Sequence, residues 1–183
     1  VVKPGCGADF ILDENGDCVL DEAKLADIWE DDICQTNEFI SNTCAQNTWN
    51  LMKENNIGYE VLKEFLRESP IADLCLDISS DYSCGDNPDS NGRTSANLRT
   101  HEISISFNSL YITNASEISF VRTILHEMIH AELYRKIISV GGQISIHNYP
   151  GIYDFYRRYK DWSHNQMAEF YRDAIVEGLR STT

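Results

Sequence analysis

No stretch of this sequence approaches the roughly 20 consecutive apolar residues that a membrane-spanning helix requires, so no membrane span is expected. Basic residues are also scarce. Lys and Arg number 15 against 29 Asp and Glu, and the formal net charge is -14. A surface of that sign repels nucleic-acid phosphates and anionic membranes, which argues against both as partners. It places no bar on uncharged substrates, and it says little about a metal ion governed by ligands a few ångströms away. No two of the six cysteines stand in CxxC spacing, which argues against a zinc–thiolate knuckle. There is no internal repeat and no linker, so residues 1–183 are expected to form a single domain with a substantial core.

All six cysteines (Cys6, Cys18, Cys34, Cys44, Cys75 and Cys84) lie in the first half of the chain. An even number on one side of a domain permits up to three disulfides, and hence an oxidising compartment. A secreted or cell-surface location is the expectation, with a cytoplasmic protein carrying buried thiols as the alternative. One glycosylation-type sequon, Asn114-Ala115-Ser116, is weakly consistent with the first. The chain opens on Val-Val-Lys rather than Met, as expected of a processed protein or of one domain from a longer parent polypeptide.

Local patterning gives a coarse map. Residues 1–20 read as a loosely structured lead-in. Within them Asp13–Asp17 resembles a calcium loop, but the twelfth position, Lys24, offers no carboxylate, so a plain turn is expected. Helices are expected over 21–33, 36–54 and 58–68, and Leu74–Ile78 alternates weakly as a strand would. Ser79–Thr100 is polar, contains Gly85, Pro88 and Gly92, and reads as a loop. His101–Phe107 alternates cleanly, with Ile103, Ile105 and Phe107 on one side, which predicts a strand with one solvated face. Asn108–Asn114 reads as a turn. A long helix then runs from an N-cap at Ser116, or at Ser119, to about Val140, where Gly141-Gly142 stops it. Residues 143–160 are rich in Tyr and Phe, and a last helix covers 163–179.

The chemistry concentrates in the long helix, at His126-Glu127-Met128-Ile129-His130. Two histidines four residues apart share one face of a helix, one turn from each other. A glutamate beside the first can serve as general base to a zinc-bound water. Ile124, Leu125, Met128, Ile129 and Leu133 supply the buried stripe and leave both histidines at its edge. An open catalytic zinc site takes three protein ligands. The candidates for the third are His164, Glu169, Asp161 and His147. His164 leads, because it heads the last helix and can share a face with Met167 and Ala168. Tyr149, Tyr153, Tyr156 and His147 are candidate donors to the oxyanion of a transition state. Glu132 reads equally as an outer partner of a ligand histidine or as an ordinary ion-pair residue. His101 reads as a solvated residue near the cleft. The aromatic and basic stretch from Tyr153 to Trp162 reads as a packed apolar face, or else as a wall for an acidic ligand.

The segment Ile103–Phe107 together with Thr123–Ala131 resembles the zincin metallopeptidases, most closely their SprT-like branch. It is also similar to uncharacterised SprT-like domains at the ends of secreted or cell-surface bacterial proteins. The likeness covers roughly residues 100–180. It implies an α+β, zincin-like fold, mainly helical, with a small antiparallel or mixed sheet whose antiparallel edge strand borders the active-site cleft. Residues 1–99 would be a mostly helical cap and 100–183 the zincin core. It implies Zn2+ on His126, His130 and His164, with Glu127 as catalytic base, and a peptide or protein as substrate. The chain departs from better-known members in several respects. Asn165 rather than Gly follows His164, no zinc ribbon follows, and the acidic surface argues against a DNA-directed role. Ala131-Glu132 does not begin the continuation that marks metzincins. The resulting expectation is a zinc-dependent metallopeptidase. The alternatives are a non-catalytic zinc-containing binding or effector module, and a zinc hydrolase of a cell-wall amide.

Overall fold

In the computed structural model the described residues are 10–12, 18–20, 29, 32–66, 71–79 and 90–139. They build a mixed α+β fold around one four-stranded sheet. Its strands are β3 (Ile33–Gln35), β4 (Asp73–Ser79), β5 (Gly92–Asn97) and β6 (Glu102–Asn108), in the order β3-β4-β6-β5. β3, β4 and β6 run parallel, and β5 pairs antiparallel with β6 at the edge. Separately, β1 (Phe10–Leu12) and β2 (Cys18–Leu20) form a two-stranded antiparallel ribbon in the stretch read from sequence as a loosely structured lead-in.

The alternation of β6 is realised as expected. Ile103, Ile105 and Phe107 are buried, and in register with them stand Leu74, Leu76 and Ile78 of β4. These side chains form the apolar face of the sheet. On the other face Asp77 accepts hydrogen bonds from the hydroxyls of Thr36 (2.8 Å) and Ser106 (3.0 Å). Cys34 and Cys75 are directly opposed on β3 and β4 and form a disulfide, with Cα atoms 4.3 Å apart. Cys44 is a free, exposed thiol.

Five helices are described: α1 (Asn37–Ser41), α2 (Thr43–Glu54), α3 (Tyr59–Leu62), α4 (Ser109–Asn114) and α5 (Glu117–Ser139). The single helix expected over 36–54 is two, because Asn42 leaves the helical conformation and its side chain caps the next segment at Ala45 N (3.0 Å). Thr36 caps α1 in the same way at Phe39 N. The helix expected over 58–68 is shorter. It begins after Gly58, whose φ of +90° suits a residue without a side chain, and gives way to turns after Leu62. Of the stretch Asn108–Asn114, expected as a turn, Ser109–Asn114 is helical, because the Asn108 side chain caps it by accepting from the backbone of Leu110 (2.9 Å) and Tyr111 (3.4 Å). Of the helix expected over 21–33, Ile33 belongs instead to β3 and most of the rest lies outside the described residues.

α5 is the central helix of the described core. Ser116 is its N-cap, accepting from Ser119 N as anticipated. Sixteen of its 23 residues are buried, on almost every side. One chain of aromatic contacts ties it to the rest. Phe120 meets Phe107 edge-on at 5.1 Å, Phe107 meets Phe39, Phe39 meets Trp49, and Trp49 meets Trp29. Three of the four strands of this sheet therefore come from the part of the chain read as a mostly helical cap, and they share one core with α5. No helix among the described residues is long and apolar enough to cross a membrane.

Candidate metal centre

Because α5 is buried nearly all round, the positions it leaves open are informative. Between Phe120 and Ile138 only Arg122 and His126 are exposed and only His130 is half-buried. These three follow one another at four-residue spacing, so they form a single stripe along the helix. The two imidazoles turn toward each other within it. Their Nε2 atoms are 3.0 Å apart and their rings meet edge-to-face, with centroids at 4.7 Å.

That separation tests the fit to a metal. Two nitrogens bound to one tetrahedral zinc at about 2.0–2.1 Å would stand about 3.3 Å apart. The observed distance lies within a few tenths of an ångström of this, and the converging atoms are both ring nitrogens able to present lone pairs. Burial, reinforced by the neighbouring His126, lowers the His130 pKa to about 4. Its imidazole is thus neutral near pH 7, the form that ligates. Both residues fit the ion.

Glu127 stands near enough to His126 for the two charges to interact, and its carboxylate is held in the layer between α5 and the sheet. It is buried, and its Oε2 accepts a 2.6 Å hydrogen bond from the hydroxyl of Thr94 on β5, which is buried as well. The same hydroxyl lies 3.1 Å from the Glu127 carbonyl oxygen. Burial raises the carboxyl pKa above its ordinary value, while the Thr94 hydroxyl, the nearby His126 and the Thr94 backbone each pull it back. The strand presses closely here. A Cβ added to Gly92 would lie 2.9 Å from Glu127 Cγ and 3.2 Å from Oε1. Gly92→Ala should therefore lower the melting temperature by about 5 °C, since overpacking a tight contact costs about 1–3 kcal/mol. Thermal unfolding checks this, and the loss should shrink once Glu127 is also cut back to Ala.

These contacts correct the expected cleft. Residues 103–107 were expected to border it, but β6 lies inside the sheet. The antiparallel edge strand beside the HExxH helix is β5, from a stretch read as loop. Gly92, Thr94 and Ala96 face α5 because they are in register with Phe107, Ile105 and Ile103. Small side chains let the helix approach, and they also erase the apolar alternation that would have marked a strand. Thr94 and Gly92 are the site residues that sequence reasoning missed. The available signal was the spacing of small residues at 92, 94 and 96, directly before a cleanly alternating partner.

Glu132 is an ion-pair residue. It accepts two hydrogen bonds from the Arg135 guanidinium and lies 3.2 Å from Lys136 Nζ, all three side chains being buried. Arg135 also approaches Glu64, at 4.0 Å. His101 is exposed at the end of the β5–β6 turn, with φ +62°. His164, the expected third ligand, lies outside the described residues, as do Glu169, Asp161, His147, Tyr149, Tyr153 and Tyr156. Among the described residues no group of three or more His, Cys, Asp or Glu side chains is placed to hold a metal. The described part of the site is thus two converging imidazoles and one buried carboxylate.

No family model, curated protein or solved structure matches the chain.

Proposed function

We propose that this protein is a zinc-dependent metallopeptidase of zincin type, with Glu127 as its general base. The observation that carries the reading is the 3.0 Å convergence of His126 and His130 Nε2 on the one stripe that the helix leaves open between Phe120 and Ile138, beside a buried carboxylate. His126 and His130 would hold the ion through those nitrogens, and His164 would be the third ligand. When bound, zinc supplies a Lewis acid that polarises an amide carbonyl and brings the pKa of water toward neutrality.

The remaining work falls to the chain. Glu127 accepts the proton of the attacking water and returns it to the leaving amine nitrogen. Tyr149, Tyr153, Tyr156 and His147 remain the candidate donors to the developing oxyanion. A purely structural zinc site has no use for a buried carboxylate adjacent in sequence to a ligand, which favours the enzyme over an idle binding module. The Cys34–Cys75 disulfide supports an oxidising, secreted or cell-surface setting.

Metal removal provides the test. Purified protein should contain close to one zinc per chain and hydrolyse members of a broad internally quenched peptide library. Dialysis against a chelator should abolish hydrolysis, and added zinc should restore it. Stoichiometric zinc without cleavage of any library member would overturn the peptidase reading and leave the non-catalytic module and the cell-wall amide hydrolase.

A further inference from the structure

We infer that Thr94 is a positioning residue for the base, so that the edge strand β5 fixes the carboxylate of Glu127. This deepens the metallopeptidase reading and rests on it. A glutamate side chain has three rotatable bonds, and in a half-open cleft it would sample several rotamers. Here it has little freedom. Gly92 confines its Cγ from the strand side, where even one added carbon would come within 2.9 Å. The Thr94 hydroxyl then fixes the carboxylate end through Oε2 at 2.6 Å.

The hydroxyl has one hydrogen and two candidate acceptors, the Glu127 carbonyl at 3.1 Å and the carboxylate at 2.6 Å. A charge-assisted bond is the shorter and stronger of such a pair, so the hydrogen belongs to the carboxylate. Oε2 is thereby occupied, and no hydrogen bond to Oε1 is found among the described residues. The strand thus holds one carboxylate oxygen, and in the proposed reaction Oε1 would be the oxygen that takes the proton. The threonine methyl is not needed for this, but the hydroxyl is.

Two measurements on the full 183-residue chain test the assignment. The first uses metal-free protein and needs no activity. Thr94→Val should lower the melting temperature by about 4–8 °C in the native background, as expected for loss of a hydrogen bond to a buried charged group. In a Glu127→Leu background the same change should cost less than about 2 °C. Equal losses in both backgrounds would overturn the inference. The second uses zinc-loaded protein and the peptide cleaved best. Thr94→Val should lower kcat by about 10- to 100-fold with KM and zinc content unchanged, whereas Thr94→Ser should retain kcat within a few-fold. Loss of KM or zinc instead of kcat would overturn it, as would equal damage by Ser and Val or full activity in the Val variant. If the native protein cleaves nothing, the peptidase reading falls and the positioning role with it. The thermal coupling between Thr94 and Glu127 would then persist, so the two failures are told apart.

Discussion

Glu127→Gln should lower peptide hydrolysis by about 10³-fold, in the middle of the range for general acid–base catalysis, while zinc remains bound at one per chain. Glutamine has the shape of glutamate and keeps a carbonyl oxygen that can accept from the Thr94 hydroxyl, so the layer between α5 and β5 should stay packed. What it lacks is a site for a proton at any working pH. The variant thus separates base chemistry from architecture. Replacement also removes a buried carboxylate that burial already disfavours in its charged form, so the melting temperature should be unchanged or slightly raised. Parallel kinetics, metal analysis and thermal unfolding of the two proteins read all three quantities. A Gln variant as active as the native chain would assign the base elsewhere.

His126→Ala and His130→Ala should each abolish stoichiometric zinc and reduce hydrolysis to background. Each removes one of two converging nitrogens, and an ion left with one of this pair has lost the chelate that α5 provides. The drop in zinc affinity should exceed the 10- to 100-fold typical of losing an outer partner to a ligand. Thermal unfolding gives an independent reading. Zinc at about 100 times its dissociation constant stabilises a folded protein by about 2.7 kcal/mol, which for a chain of this length is a rise of about 5–10 °C. The native protein should show that rise and both alanine variants should not. His126 is exposed and His130 half-buried, so the metal-free variants should melt close to the metal-free native chain. Loss of the zinc response without loss of fold is therefore the expected signature.

The contrast between β6 and β5 shows which parts of this fold were readable from the residues. Ile103, Ile105 and Phe107 alternate with polar neighbours, so a strand with these three on its buried side follows from the pattern alone. β5 carries the same alternation in size rather than in hydropathy: Gly92, Thr94 and Ala96 face the core, and at Gly92 the Glu127 side chain comes too close for an added carbon. A scale of apolar character is blind to that. The N-cap at Ser116 was legible because its hydroxyl acts on the adjacent turn. The break at Asn42 was not, since asparagine can lie within a helix or cap one, and packing decides.

The site divides in the same way. The His126–His130 pair is a property of helical spacing, and it was legible as soon as the helix was. The Thr94–Glu127 contact depends on strand pairing 33 residues earlier in the chain, which no local pattern encodes. Glu132 showed the opposite ambiguity. It lies near the ligand pair in sequence, yet its partners are Arg135 and Lys136 on its own helix.

The most direct test is X-ray absorption at the zinc edge on the protein loaded with one equivalent of zinc. Three imidazole nitrogens at about 2.0–2.1 Å, with one further light-atom neighbour, are expected, falling to two imidazoles in His164→Ala. A shell of sulfur neighbours at about 2.3 Å, or a single imidazole, would show that the ion does not sit between His126 and His130.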